Sequence, residues 1–403
     1  MKFLLNHLHK HKGLFMPGGK LAWLYPLYEA QESFLFTPPD TTQSAPHVRD
    51  GVDLKRVMIT VIIALIPVVL FTFYNTGRQF NIINQIPDAT ALDHWTQGLA
   101  IVMPVILVSY IVGGLIEVLF AIIRKHEINE GFLVTGLLFP ISLPPTIPLW
   151  QVALGVAFGV IIGKEIFGGT GFNVLNPALV GRGFLFFSFP TRFSGDVYNV
   201  VLDIDNVIDG YTGATPLTLA ASVPQGESVI EALTEAGFTW STMFLGLMGG
   251  SMAETSALAS LVGGVILLVT GVGAWRIMAG GVIGLTVAVT SMNLLPADSF
   301  IPFTQLPIYY HLVMGTFVWS IIFMATDPVS SAATLRGKWI YGILIGVMVA
   351  VIRVANPAFT GGVLLSILFG NVMAPMIDHF VLKAHIRKRQ VYIQSRNSRY
   401  AKS

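Results

Sequence analysis

The feature that most constrains this chain is where its charges are not. Of 24 Lys and Arg, seven fall in residues 1–56 and seven in 383–402, which leaves ten for everything between. A charge at the centre of a bilayer costs about 2.5–3.5 kcal/mol on insertion scales, so a long stretch this poor in ions belongs in lipid. Composition agrees: 53% of the residues are hydrophobic, 11% are charged, and the mean hydropathy is +0.69. Soluble domains are about a quarter charged, and the pattern excludes a soluble globular enzyme. Cysteine is absent, so the chain itself can hold no iron–sulfur cluster, thiolate metal site or disulfide. Any redox chemistry needs an organic cofactor or a partner.

Met1–Leu5 is too short an apolar run for a cleavable signal, and the first spanning segment is expected only after Arg49, Lys55 and Arg56. Ahead of it stands an arm rich in aromatics (Phe15, Trp23, Tyr25, Tyr28, Phe34, Phe36), suited to lying along the membrane interface. Continuous apolar spans are predicted over 57–75, 98–123, 256–272, 276–292, 309–326, 339–355 and 361–382. Segment 132–148 is broken by Pro140, Pro144, Pro145 and Pro148, and 150–167 ends early at Lys164-Glu165. Segments 174–190 and 240–250 are half-length. The fold class is therefore an all-α polytopic membrane protein of about ten spans.

Basic residues orient it. The arm, Arg124-Lys125, Arg336 with Lys338, and the tail from Lys383 onward should all be cytoplasmic, which puts both termini inside. The stretch 191–239 holds one base, Arg192, against seven acids and should face the periplasm. Two motifs recur in one order. Pro140-Ile141-Ser142 with Thr146 reappears as Pro328-Val329-Ser330 with Thr334, and Asn176-Pro177-Ala178 reappears as Asn356-Pro357-Ala358. Trp150 and Trp339 lie between them. Paired halves with interrupted helices mark a transporter-like fold with its site at the repeat interface, and five spans per half fits an inverted relation. The organisation read from this is 1–56 cytoplasmic arm, 57–190 first repeat, 191–239 periplasmic loop, 240–382 second repeat and 383–403 basic cytoplasmic tail.

Local motifs leave several readings open. In Asp209-Gly210-Tyr211-Thr212-Gly213-Ala214-Thr215-Pro216, Thr215 reads as a helix N-cap with Pro216 at the first helical position. A helix start also favours a phosphate. Gly113-Gly114, a turn before Glu117, reads as close helix packing. Acids at membrane depth (Glu117, Glu254, Asp327, Asp378) are functional or else paired, with Arg182 and Arg353 as candidate partners.

The run Asp-x-x-Thr-Gly-Ala-Thr ending at Thr215 resembles the flavinylation motif of one membrane redox family. So do Gly168–Arg182, His126–Phe132, Phe323–Pro328 and the arm's His47-Val48-Arg49-Asp50. Together they resemble, over essentially the whole chain, the NqrB/RnfD family, whose members include the flavin-carrying membrane component of the bacterial sodium-translocating NADH:quinone oxidoreductases. The resemblance implies FMN attached covalently through its phosphate to Thr215 by a flavin transferase, with Asp209, Thr212, Gly213 and Ala214 as the recognition sequence. It implies a non-covalent riboflavin in the membrane part, assigned to the loop around Lys164, Gly169, Asn173 and Asn176. The alternative for Asn173 and Asn176 is that they only cap the following half-helix. It implies ubiquinone as substrate near Gly113, Gly114, Glu130 and Phe132, and Glu29, Glu117, Asp327 and Asp378 as acids acting on Na⁺, a hard cation that wants oxygen ligands. The expected setting is the bacterial inner membrane, in a complex with a second FMN-carrying subunit and an NADH-oxidising iron–sulfur flavoprotein, and with no nucleic acid. No Gly-x-Gly-x-x-Gly follows a strand, which assigns NADH oxidation elsewhere. Two other readings stand: the corresponding membrane component of an Rnf complex, which shares the threonine motif, and a secondary transporter with no redox step.

Overall fold

A backbone that crosses lipid must satisfy its own polar groups, and apolar runs of this length do so as helices. The computed structural model describes residues 2–16, 18–35, 54–125, 128, 131–193, 195–198, 200, 215–253, 255–294, 302–355 and 361–400. Its helices are α1 Lys2–Phe15, α2 Tyr25–Leu35, α3 Leu54–Ile83, α4 Ala91–Arg124, α5 Gly131–Ile141, α6 Leu149–Gly163, α7 Pro177–Ser188, α8 Pro216–Ser222, α9 Val229–Glu235 and α10 Trp240–Leu245. They continue as α11 Ala257–Val269, α12 Trp275–Asn293, α13 Ile308–Val313, α14 Phe317–Phe323, α15 Leu335–Ala355 and α16 Val363–Tyr400. Among the described residues no strand occurs. Six helices among the described residues are long and apolar enough to cross a membrane, and α5 and α11 are shorter apolar helices.

The two halves repeat one packing scheme. In the first, α3 packs on α4 and α5, α4 on α6, and α6 on α7. In the second, α11 packs on α14, α12 on α15, and α15 on α16. Equivalent helices meet across the middle, α3 against α11 and α7 against α16. The start of α3 shares a cleft with the end of α11, while the end of α3 shares another with the approach to α11. The pair is therefore antiparallel and the repeats are inverted, as the sequence predicts.

Glycines set the closest contacts. A Cβ on Gly181 would sit 2.5 Å from the Gly155 carbonyl oxygen, and one on Gly159 2.5 Å from that of Pro177, so α6 and α7 meet backbone to backbone. Gly280, Gly281 and Gly284 do the same for α12 against Gly342 and Gly346 of α15. Small residues permit such approach where lipid supplies no hydrophobic drive between helices. Two unwound stretches also cross at the repeat interface, Ala253 N–H donating to Ile141 O at 2.8 Å and Met252 N–H to Leu143 O at 3.1 Å.

Three expectations change. The apolar run 309–326 is not one span: it breaks between α13 and α14 at Gly315, whose φ of +66° takes it into the left-handed region. Buried Arg353 donates to the carbonyls of His311 at 2.7 Å and Met314 at 3.0 Å, which holds the break open. The described part of 191–239 is not a plain loop. It carries α8 and α9, and Leu217, Ala220, Val229 and Leu233 form a satellite core with Met243, Leu306, Tyr310 and Met314. Finally, the basic tail continues α16 as one helix to Tyr400.

Candidate functional site

A site at the repeat interface grows from a turn that only glycines allow. After α6 ends at Gly163, Gly168 (φ +122°), Gly169 (+99°) and Gly171 (+94°) reverse the chain, and Asn176 restarts it as α7. The Asn176 side-chain oxygen accepts from the N–H groups of Ala178 at 3.0 Å and Leu179 at 3.4 Å, with Pro177 at the first helical position. Asn173 donates to the Leu175 carbonyl at 3.0 Å. Both asparagines thus perform the capping and turn work that the sequence allowed. They also line a cleft with ≈ 790 Å³ of free space, counting its mouth.

That cleft joins both repeats. Its walls include Val57 and Met58 from α3, Thr135 from α5, Lys164, Thr170, Asn173 and Asn176 from the turn, Leu267 at the end of α11, and Asp327 in the break after α14. Asp327 is anchored by Ser330 Oγ donating at 2.6 Å and Val329 N–H at 3.4 Å. The Thr170 hydroxyl is buried on this wall and has no hydrogen-bond partner. A polar atom in that state invites a ligand.

Lys164 bounds the cleft and also organises the charges behind it. Its ammonium donates to Glu117 at 2.5 Å and lies 3.9 Å from Glu165, while Arg124 donates to Glu165 at 2.8 Å. Two cations and two carboxylates form one neutral cluster, with Lys164, Glu117 and Glu165 buried and Arg124 at its exposed edge. The expected pairing of the acids with Arg182 and Arg353 is overturned for Glu117. Arg182 donates to Ser251 at 3.2 Å, and Arg353 is turned to backbone carbonyls. Lys164 reaches Glu117 because it follows the end of α6, which packs on α4. Gly169 borders Glu165 and Arg124 rather than the cleft.

The other expected residues separate. Asp378 on α16 accepts from Ala333 N–H (2.7 Å), Thr334 N–H (3.0 Å) and Thr334 Oγ (2.5 Å), so it braces Thr334, whose hydroxyl accepts from Gly337 N–H at 3.0 Å at the start of α15. Glu29 is half-buried on α2, in the arm, which folds as α1 against α2 with Glu32 accepting from His9 at 2.9 Å and Lys12 at 3.2 Å. Gly113 faces the Phe132 ring, which fills the space where its side chain would stand, and Gly114 is 3.9 Å from that ring. The close-packing reading of the glycine pair holds there. Thr215 caps α8, its hydroxyl accepting from Thr218 N–H at 3.3 Å and lying 2.8 Å from Thr218 Oγ. Asp209, Thr212, Gly213, Ala214, Glu130, Glu254, Asn356–Ala358 and the His47–Asp50 motif lie outside the described residues. Sequence reasoning missed Thr170, Glu165 and Arg124. The first was signalled by its place inside the glycine turn, the second by standing beside Lys164.

Inverted repeats, interrupted helices and a polar cleft at their interface define a multi-pass membrane protein of the transporter-like class. Residues 41–387 match the model of the NQR2, RnfD, RnfE family. The chain is 49% identical to the B subunit of the Na(+)-translocating NADH-quinone reductase of Azotobacter vinelandii, covering 95% of this chain and 97% of that one. It is 48% identical to the same-named protein of Pseudomonas aeruginosa (96% and 98% covered) and 44% to that of Klebsiella pneumoniae (97% and 99%). The chain belongs to the NQR2, RnfD, RnfE family.

Proposed function

We propose that this protein is the membrane subunit of a sodium-translocating NADH:quinone reductase, an electron conduit coupled to Na⁺ export. The observation that carries the reading is the interface cleft that gathers Lys164, Asn173, Asn176 and Asp327 around an unpartnered Thr170 hydroxyl. Its asparagine amides and free hydroxyl match the polar edge of riboflavin, and its remaining walls are mostly apolar. A flavin bound there supplies reversible one- and two-electron chemistry. The chain's own residues orient the ring edge, the Lys164–Glu117 pair keeps the wall neutral, and the apolar walls of α3 and α11 exclude water.

Thr215 is the residue for covalent FMN. Its hydroxyl stands at a helix start on a half-buried residue, beside a satellite core that fixes α8. NADH oxidation, the second FMN-carrying subunit and the flavin transferase belong to partner proteins. The basic ends support a reading with both termini in the cytoplasm and α8 in the periplasm, in a bacterial inner membrane, with 1–56 and 383–403 as cytoplasmic segments. Ubiquinone is assigned to the α4–α5 face at Gly113, Gly114 and Phe132, with Glu130. Glu29, Glu117, Asp327 and Asp378 are assigned to the ion's uptake. Moving one Na⁺ costs about 2.3 kcal/mol per 100 mV, and a two-electron couple releases about 1.4 kcal/mol per 30 mV, so a modest potential drop suffices.

The test is flavin fluorescence of the purified chain after denaturing electrophoresis. Fluorescence that persists in the wild type and in Thr215→Ser, and disappears in Thr215→Val, supports the reading. A wild-type chain without it favours a secondary transporter, which the inverted repeat alone accommodates. Quinone reduction by the assembled complex separates the reading from an Rnf-type component.

A further inference from the structure

The inverted repeat gives the Lys164–Asp327 cleft a counterpart at the opposite end of α3. The first is built from the start of α3 and the end of α11. The second is built from the end of α3 (Asn75, Thr76, Gln79), the approach to α11 (Met248–Gly250, Met252) and Pro145 in the break of the first repeat. It has ≈ 280 Å³ of free space, counting its mouth. Met58 and Thr76 are eighteen residues apart on α3, about 27 Å along the axis. The two clefts thus sit near opposite faces of a bilayer whose core is about 30 Å thick.

What singles out the second cleft is an oxygen with nothing to bind. Asn75 is 3% exposed; its amide nitrogen donates to Met248 O at 2.9 Å and reaches Thr255 Oγ at 3.4 Å, which fixes the orientation of the amide. Its side-chain oxygen is then left buried and without a partner. Around the same cleft stand the buried Thr76, the Gln79 amide and the unwound backbone 248–252 ahead of α11. The described residues lining it carry no charge. An all-oxygen, neutral set beside unwound backbone suits a hard monovalent cation. With no carboxylate among the described lining residues, the set is too weak to strip the water from a divalent ion, and that weakness suits release.

We propose that this cleft is a low-affinity Na⁺ site on the periplasmic side, where the ion stops before leaving, with Asn75 and Thr76 among its ligands. The proposal rests on the sodium-pump reading and adds to it a location that contains none of the four acids. The experiment uses the assembled complex in vesicles whose protein faces outward at its periplasmic side, with Na⁺ or choline added outside and quinone reduction followed. Outside Na⁺ should slow turnover by refilling the site. Thr76→Val, which removes one oxygen at constant shape, should raise the outside Na⁺ needed for half-inhibition several-fold. Asn75→Asp, which adds a charge at constant shape, should lower it several-fold. Opposite shifts in the two variants support the site, and any other pattern overturns it. A wild-type complex whose turnover ignores Na⁺ on both faces overturns the pump reading itself, which keeps the two failures distinguishable.

Discussion

Fourteen residues after the repeat tryptophans Trp150 and Trp339, each half places one buried cation, Lys164 in the first and Arg353 in the second. The two are stabilised by different means. Lys164 is a compact point charge and finds carboxylates, Glu117 at 2.5 Å and Glu165 at 3.9 Å. Arg353 carries a planar fork and finds carbonyls, those of His311 and Met314. Lysine needs a counter-charge at depth, whereas arginine spreads its charge over several dipoles. The first half therefore has a neutral cluster behind its cleft, and the second uses its cation to break a helix.

The difference ranks the consequences of removing each cation. Lys164→Met leaves Glu117 buried opposite an apolar chain, and losing one partner of a buried pair costs about 3–5 kcal/mol. The variant complex should show a large fall in thermal midpoint, and Lys164→Met with Glu117→Leu should recover most of it. A single variant as stable as the wild type would break the claim that the cluster is held by charge.

Arg353→Met removes two hydrogen bonds from a charged donor, worth about 1.5–3 kcal/mol each, without stranding an acid among the described residues. Its specific effect should be local. The Met314–Gly315 break packs against Leu217, since a Cβ on Gly315 would collide with that side chain, and Leu217 lies two residues beyond Thr215. Loosening the break should reduce flavin fluorescence per chain more than it reduces the thermal midpoint. Arg353→Lys should fail to restore it, because one ammonium cannot hold both carbonyls.

The glycine contacts compare one backbone approach in each half. Gly346→Leu would drive a side chain into the Gly281 carbonyl and the Leu285 amide, and Gly181→Leu into the Gly155 carbonyl. Overpacking of this kind costs about 1–3 kcal/mol. Similar losses of assembled complex in both variants would show that α6–α7 in the first half and α12–α15 in the second carry comparable weight. A loss confined to one would show that the halves lean on different helix pairs.

How much of the molecule is legible in its sequence follows from where the signals lie. The spans, their inversion and the Thr215 cap are readable because hydropathy, Lys/Arg asymmetry and a Thr-Pro pair are local. The cleft is half readable: Lys164, Asn173 and Asn176 stand within thirteen residues of one another around a glycine turn, so composition alone draws attention there. The Lys164–Glu117 pair is not readable, because its members are forty-seven residues apart and meet only through the α4–α6 contact. The break at Gly315 is hidden for the same reason. The residue that opens it lies thirty-eight positions downstream, and the run 309–326 is apolar throughout most of its length.

The smallest expected effect concerns the repeat threonines. Thr334 and Thr146 hold matching positions, but Thr334 bonds the Asp378 carboxylate, whereas Thr146 donates to the Val197 carbonyl. Asp378 also receives the N–H groups of Ala333 and Thr334 just ahead of α15, bracing the Thr334 cap, whose hydroxyl accepts from Gly337 N–H at 3.0 Å. Weakening a helix cap costs about 0.5–2 kcal/mol. Asp378→Ala should therefore lower the thermal midpoint more than Thr146→Val, which gives up a single neutral bond. Asp378→Asn keeps one acceptor oxygen and should fall between them. The same series separates capping from ion handling. If the carboxylate acts on Na⁺, both Asp378→Asn and Asp378→Ala raise the Na⁺ concentration for half-maximal turnover. If it only braces the Thr334 cap, the Na⁺ dependence follows stability, and Asp378→Asn leaves it close to the wild type.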